Sequence, residues 1–151
     1  VELIKNEVFR LGIDFVNYGV ADARTGNYAM ADKILLDVPC TGTGVIARRA
    51  DLRWNRTIRQ LDTLIKMQRD ILTNMSNFVK DGGVLVYSTC SVEPEENWEN
   101  VEWFLKSNRN FSVEDARDFV PEKWCDNRGA IYILPHLQNE TGGFAVRMRK
   151  Q

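Results

Sequence analysis

The stretch KILLDVPCTGTG, residues 33–44, is the clearest indication of the architecture, because an apolar run passes directly into a polar turn that contains Cys40. A second stretch, VLVYSTCS at residues 84–91, repeats this order with Cys90. Both apolar runs are typical of buried strands. The carboxyl ends of neighbouring strands in an open α/β sheet border the crevice where ligands bind. We therefore expect both thiols to lie over one pocket.

The segment between the two thiols predicts a helix that connects two parallel strands. Residues 58–79 repeat apolar side chains with a 3.6-residue period, with one polar exception at Gln68. The turn KDGG at residues 80–83 ends this helix, and a strand at 84–87 follows it. A strand, a helix and a strand in this order indicate a parallel pair in an α/β fold.

Periodicity and turn residues also predict the remaining elements. They are a helix over residues 2–11 closed by Gly12, strands at 15–20, 33–37 and 111–113, a helix from Pro94 to about Asn108, a loop at 115–130, and an antiparallel hairpin of 131–133 with 143–148. Glu95 and Glu96 are predicted to favour the helix start and nothing more, since carboxylates interact well with the positive end of a helix.

Bulk properties narrow the class of protein. The 151 residues are 44% hydrophobic and 27% charged, which is ordinary for one globular domain. No apolar run approaches the roughly 18 residues of a membrane span, and no signal peptide is visible, so we expect a cytoplasmic protein without a membrane partner. Three widely spaced cysteines predict reduced thiols, no disulfide framework and no metal site.

The charge distribution contains one candidate surface for nucleic acid. The net charge of -1 gives no global indication of such a partner, but a short basic segment follows the first thiol. Its candidate RNA-binding residues are Arg48, Arg49, Arg53, Trp54 and Arg56. Arginines can contact phosphates and a tryptophan can stack on a base, although a solvated helix face would show the same pattern.

Four motifs in a fixed order resemble the RsmB (Fmu/Sun) family of RNA cytosine-C5 methyltransferases. They are DVPCTGTG at 37–44, QRDIL at 68–72, DGGVLVYSTCSVEPEEN at 81–97 and LPHLQNETGGFAVRMRK at 134–150. The resemblance extends over nearly the whole chain. It implies a Rossmann-like, S-adenosylmethionine-dependent methyltransferase fold that ends in an antiparallel hairpin, and a cytosine substrate in RNA, with 16S ribosomal RNA favoured over transfer RNA.

Two small departures from the family pattern are visible. The family usually has Asp-Ala-Pro-Cys-Ser where this chain has DVPCT at residues 37–41, and Asp-Gly-Phe-Phe is common where this chain has Gly142, Gly143 and Phe144. Both departures leave the two cysteine motifs intact.

The resemblance also implies roles for individual residues. Cys90 matches the nucleophile of the family and Cys40 its second thiol, which assists release of the methylated product. Asp22 and Asp37 match acidic positions that contact S-adenosylmethionine. Because carbon 5 of cytosine is a poor nucleophile, the reaction needs a thiolate that first adds at carbon 6, and a cysteine close to a helix start suits this task.

The front of the family domain has no counterpart in the sequence. The family has a glycine-rich cofactor loop after its first strand and a ribose-binding acid after its second, whereas the only Gly-x-Gly here, residues 42–44, belongs to the first thiol motif. We therefore expect residues 1–151 to be the C-terminal portion of a catalytic domain, truncated at its N-terminal side and inactive alone. A non-catalytic fragment that binds RNA or a partner, and a DNA cytosine methyltransferase that uses Cys40 as nucleophile, remain the alternatives.

Overall fold

A five-stranded mixed sheet organises the computed structural model, which describes residues 1–151. The strands are β1 (Ala31–Asp37), β2 (Val79–Thr89), β3 (Phe111–Glu114), β4 (Ile131–Ile133) and β5 (Gly143–Lys150). Their order is β1-β2-β5-β3, and β4 pairs with β5 next to β3. The β1–β2 pair is parallel, while all pairs that include β5 are antiparallel. The expected parallel strands and closing antiparallel pair are both present.

The register of the parallel pair aligns the two cysteine motifs. Lys33 lies opposite Val84, and Asp37 lies opposite Ser88. The Val38 amide extends the pairing past the end of β1 by donating to the Ser88 carbonyl at 3.1 Å. Cys40 therefore follows the end of β1 by three residues and Cys90 follows the end of β2 by one, at the same edge of the sheet.

The helices are α1 (Glu2–Arg10), α2 (Leu52–Asn55), α3 (Ile58–Ser76), α4 (Trp98–Ser107) and α5 (Pro135–Gln138). Helix α3 is the crossover between β1 and β2, as predicted. It begins with a capping box in which the Gln60 amide donates to Thr57 Oγ1 at 3.3 Å and the Thr57 amide donates to Gln60 Oε1 at 3.0 Å. None of the helices is both long and apolar enough to cross a bilayer.

The core lies between the sheet and the helices α3 and α4. Leu72 on α3, Phe104 on α4, and Leu85 and Tyr87 on β2 are fully buried and belong to one cluster. Leu85 and Tyr87 are two positions apart on β2, so they point to the same face of the sheet. This packing fixes α3 beside the end of β2, next to both cysteine motifs.

Three predicted elements differ from the structure. The helix expected over residues 58–79 ends at Ser76, and the turn expected at residues 80–83 lies within β2, which begins at Val79. The strand expected at residues 15–20 is absent, because this segment pairs with no other strand, and Phe15 and Val20 remain 81% and 86% exposed. The helix expected from Pro94 is divided into a 3-10 turn, Pro94–Glu96, and α4, since Asn97 leaves helical geometry with φ -108° and ψ -107°. The turn directs Glu96 inward, which has consequences for the site.

Candidate active site

The two motif cysteines meet at the carboxyl end of the parallel strands. Cys40 Sγ and Cys90 Sγ lie 2.9 Å apart, and the Cys90 amide donates to Cys40 Sγ at 3.3 Å. Cys90 is exposed, whereas Cys40 is partly buried. The predicted juxtaposition of the two thiols is therefore present, and Cys90 is the more exposed of the two.

The surroundings of Cys40 make its thiol less acidic than a free cysteine. Burial first, and then the hydrogen bond with Cys90, raise the pKa of Cys40 to about 12. Cys40 consequently keeps its proton at neutral pH and can donate it in a hydrogen bond to the Cys90 sulfur. A thiolate at Cys90 would be stabilised by this bond.

A close backbone approach around Gly44 holds the two cysteine loops together. The Gly44 amide donates to the Cys90 carbonyl at 3.0 Å, and the Gly142 amide donates to the Gly44 carbonyl at 2.9 Å. A Cβ atom at Gly44 would lie 2.5 Å from the Gly142 carbonyl oxygen and 2.8 Å from that of Cys90. Only glycine fits between these chains.

Hydroxyl groups form a second connection between the loops. Ser91 Oγ lies 3.1 Å from both Thr41 Oγ1 and Thr43 Oγ1. The Val92 amide donates to Thr43 Oγ1 at 3.1 Å. The hydroxyl-bearing residues beside each cysteine thus bond to the opposite loop.

Glu96 corrects one prediction from the sequence. It was expected only to favour a helix start, but it is fully buried and accepts hydrogen bonds from the Thr41 amide at 3.0 Å and from Gln68 Nε2 at 2.8 Å. Gln68, the polar exception in the apolar pattern of α3, is fully buried as well. That exception was the one signal in the sequence that a polar group lies inside the core here.

Asp22 and Asp37, the predicted cofactor contacts, line one open cavity of about 500 Å³. Asp37 accepts a hydrogen bond from Ser88 Oγ at 3.2 Å. The same cavity is bordered by Pro39, which precedes Cys40 in the chain. The lining of the cavity therefore ends one residue before Cys40 along the segment that leaves β1.

Arg24 is a residue of this cavity that the sequence patterns did not indicate. Its guanidinium donates to the Asp22 carboxylate at 2.6 Å, and its amide donates to the same group at 2.9 Å. These hydrogen bonds, the side-chain bond first, lower the pKa of Asp22 to about 2. The carboxylate of Asp22 is thus ionised at neutral pH, although it shares its acceptor atoms with Arg24.

The residues of the basic segment have different surroundings, because some are exposed to solvent and others bind neighbouring residues. Arg53 and Trp54 are exposed, Trp54 by 83%, while Arg49 pairs with Asp51 at 3.3 Å. Arg56 Nε donates to the Thr41 carbonyl at 2.6 Å, directly beside Cys40. The segment therefore borders the thiol pair.

Arg48, the remaining member of the segment, lines a separate cavity of about 270 Å³. This cavity also contains Gly44 and Thr141. It lies between the Gly44 turn and the loop that precedes β5, so it adjoins the Cys90 loop through the backbone contacts of Gly44.

Comparison with known proteins finds a family model and relatives that carry similar descriptions. A family model described as "16S rRNA methyltransferase RsmB/F" matches residues 1–149. Probable ribosomal RNA small subunit methyltransferase B from Synechocystis is 37% identical over 80% of this chain, and the protein of the same name from Bacillus subtilis is 35% identical over 100%. The chain spans only 28% and 35% of the lengths of these relatives.

Solved structures have the same fold. The crystal structure of NSun6 from Pyrococcus horikoshii with SFG matches 99% of this chain with a TM-score of 0.83 and 31% sequence identity. The match covers 38% of that chain. The arrangement of strands around the thiol pair is thus a Rossmann-like methyltransferase fold.

Proposed function

Because the chain belongs to the 16S rRNA methyltransferase RsmB/F family, we propose that it contributes the thiol-bearing part of an enzyme that methylates carbon 5 of a cytosine in RNA, with 16S ribosomal RNA as the favoured substrate. The observation that carries this proposal is the pair of thiols at 2.9 Å, one exposed and one partly buried. Such inequality suits two different chemical roles at one base.

The exposed thiol is the better nucleophile for the first stage. Addition of the Cys90 thiolate to carbon 6 of the base would direct an electron pair to carbon 5, the atom to be methylated. S-adenosylmethionine, when bound, supplies the methyl group. Burial and the raised pKa of Cys40 oppose the alternative in which Cys40 attacks, as a DNA cytosine methyltransferase would require.

The protonated thiol suits the second stage. After methylation, a base such as water takes the proton from carbon 5, and the electron pair of that C–H bond forms the double bond to carbon 6. The bond between carbon 6 and Cys90 breaks at the same time, and its electron pair returns to the Cys90 sulfur. Cys40 lies within hydrogen-bond distance of this sulfur and carries a proton to donate. Cys40 would therefore stabilise Cys90 as it leaves.

The residues that line the cavity next to Pro39 favour the binding of a nucleoside cofactor. Asp22 and Asp37 present carboxylate oxygens that can accept hydrogen bonds from the amine groups of S-adenosylmethionine, at the edge of the sheet where such cofactors bind. Ionisation of Asp22 at neutral pH keeps it an acceptor. We assign both residues to cofactor binding, and Arg48, Arg49, Arg53, Trp54 and Arg56 to RNA binding.

The length of the relatives supports a further part of the proposal. Residues 1–151 match about a third of each relative, and their only Gly-x-Gly, residues 42–44, belongs to the loop that carries Cys40. We assign them to the C-terminal portion of the catalytic domain. The glycine-rich loop and the first two strands of the domain would come from outside this portion, so that residues 1–151 alone would be inactive.

Replacement of Cys40 by alanine tests the two thiol roles. In a form of the protein that methylates RNA, Cys40→Ala should accumulate a covalent protein–RNA adduct, because release slows while addition continues. A denaturing gel would show this adduct as a slowly migrating band.

Two further variants sharpen this experiment. Cys90→Ala should abolish both adduct and methylation, and Cys125→Ala, which changes a thiol outside the site, should leave both unchanged. Normal methylation by Cys40→Ala without any slow band would contradict the assignment of roles.

A further inference from the structure

Glu96 is a fully buried carboxylate that neither thiol role requires directly. Three donors satisfy it: the Thr41 amide at 3.0 and 3.2 Å, the Thr41 hydroxyl at 2.5 Å, and Gln68 Nε2 at 2.8 Å. A buried carboxyl group without hydrogen-bond partners is costly, so the fold must keep these donors in place.

The donors to Glu96 hold the chain on both sides of Cys40. The Thr41 amide belongs to the peptide group that follows Cys40. Gln68 Nε2 donates to the Pro39 carbonyl at 2.8 Å as well as to Glu96, and this carbonyl belongs to the peptide group that precedes Cys40. Both peptide groups of Cys40 are therefore fixed through the same carboxylate.

The carboxylate also connects Cys40 to the segment that carries Cys90. Glu96 lies six residues after Cys90, and Asn97 Nδ2 donates to the Ser91 carbonyl at 3.0 Å. Thr41 Oγ1, which binds Glu96, lies 3.1 Å from Ser91 Oγ. One network thus holds the residues that follow each cysteine.

We propose that Glu96 is a positioning residue that sets the separation and orientation of the Cys40 and Cys90 thiols. The inference rests on the proposed function, in which Cys40 must reach the sulfur of Cys90 during release. Glu96 acts through the peptide groups of Cys40, and it requires a carboxylate because it accepts from donors on two sides.

The variant Glu96→Gln separates this role from simple packing. Glutamine has nearly the same shape, but one acceptor oxygen becomes an NH₂ donor. If this donor faces Gln68 Nε2, two donors oppose each other; if it faces Thr41 Oγ1, the Thr41 hydroxyl must turn and accept instead of donating. Either orientation removes or reverses one of the hydrogen bonds that Glu96 accepts. The peptide of Cys40 should then move relative to Cys90.

The equilibrium between the thiol pair and glutathione measures this position without RNA or cofactor. Cys40 and Cys90 each lose a proton, their two sulfurs form one bond, and oxidised glutathione takes up two electrons and two protons to give two glutathione thiols. The thiol sulfurs at 2.9 Å need to approach to only about 2.05 Å. Cys125→Ser in every variant leaves a single intramolecular disulfide to form.

We expect Glu96→Gln to lower the equilibrium constant for this disulfide about tenfold, because a less firmly held Cys40 has a lower effective concentration at Cys90. The matched control is Glu114→Gln, since Glu114 pairs with Arg147 and Arg149 on the sheet, away from the thiols. The control should stay within about twofold of the parent chain.

An unchanged constant in a folded Glu96→Gln chain would overturn the proposal, with folding checked by near-ultraviolet circular dichroism. If this variant does not fold, Thr41→Val decides, because it removes the hydroxyl donor and keeps the amide. It should lower the constant about threefold, and no change would equally overturn the proposal. An unchanged disulfide constant would contradict only the role of Glu96 and would not affect the result of the adduct experiment. An error in the thiol roles would appear only in the adduct experiment.

Discussion

At the scale of single residues, Cys40 and Cys90 show how the surroundings assign different chemistry to one side chain. Both side chains are thiols, but Cys40 is partly buried and hydrogen-bonded to Cys90. Burial and this hydrogen bond raise the pKa of Cys40 to about 12. Because the thiolate is the reactive form, a raised pKa means that the reactive fraction of Cys40 appears only at strongly alkaline pH. Exposure leaves Cys90 open to reagents.

This difference predicts selective alkylation. Iodoacetamide at about pH 8 should modify Cys90 well before Cys40, with peptide mapping by mass spectrometry as the measurement. In Cys90→Ser, Cys40 should remain slow, since burial is the first cause of its raised pKa. Modification of Cys40 at a rate similar to that of Cys90 in the folded chain would refute the prediction, and unfolding in urea should abolish the difference.

The sequence predicted the pairing of the thiols but not the residue that holds them. Two predicted strands of similar length each end before a cysteine. If these strands are neighbours in the sheet, their carboxyl ends lie at one edge, and so do the two thiols. Glu95 and Glu96 are identical side chains, and only the 3-10 turn determines that Glu96 is fully buried while Glu95 is not. Gln68 was a visible exception whose partner could not be known before the fold.

At the scale of elements, the Gly44 turn decides whether the cysteine loops can approach each other. A Cβ at Gly44 would lie within 2.8 Å of two carbonyl oxygens, so Gly44→Ala should force the loops apart and lower the free energy of unfolding by about 1–3 kcal/mol. Urea denaturation would measure this change. Gly19→Ala is the matched control, because nothing lies within 4 Å of a Cβ there, and an equal loss in both variants would refute the steric argument.

The wrongly predicted strand at residues 15–20 shows where local pattern stops being sufficient. Its aromatic and β-branched composition favours extended backbone, but a strand becomes part of a sheet only through a partner that satisfies its backbone groups. Within residues 1–151, no strand pairs with this segment. The strands β1 and β2 have partners, and the sequence predicted both.

At the scale of the whole molecule, apolar surface is concentrated in the first 35 residues. Helix α1 buries no residue, and Phe9, Phe15 and Leu35 are 89%, 81% and 69% exposed. The outer edge of β1 is unpaired. Leu35 also lines the cavity of Asp22 and Asp37, so the exposed surface reaches the proposed cofactor site. A cavity that is open to solvent on one side buries less of the surface of its ligand.

The open cavity leads to a prediction about cofactor binding. Calorimetric titration with S-adenosylmethionine should give an affinity at least about 100-fold weaker for residues 1–151 than for a protein extended to the length of its relatives, because loss of part of the contacts costs a few kcal/mol. In the longer protein, Asp37→Asn should weaken binding, since an amide replaces one carboxylate acceptor in the cavity. Equal affinities of the short and long chains would show that the cavity of Asp22 and Asp37 is sufficient by itself. That result would overturn the assignment of residues 1–151 to an inactive portion of the domain, while leaving the thiol roles to the adduct experiment.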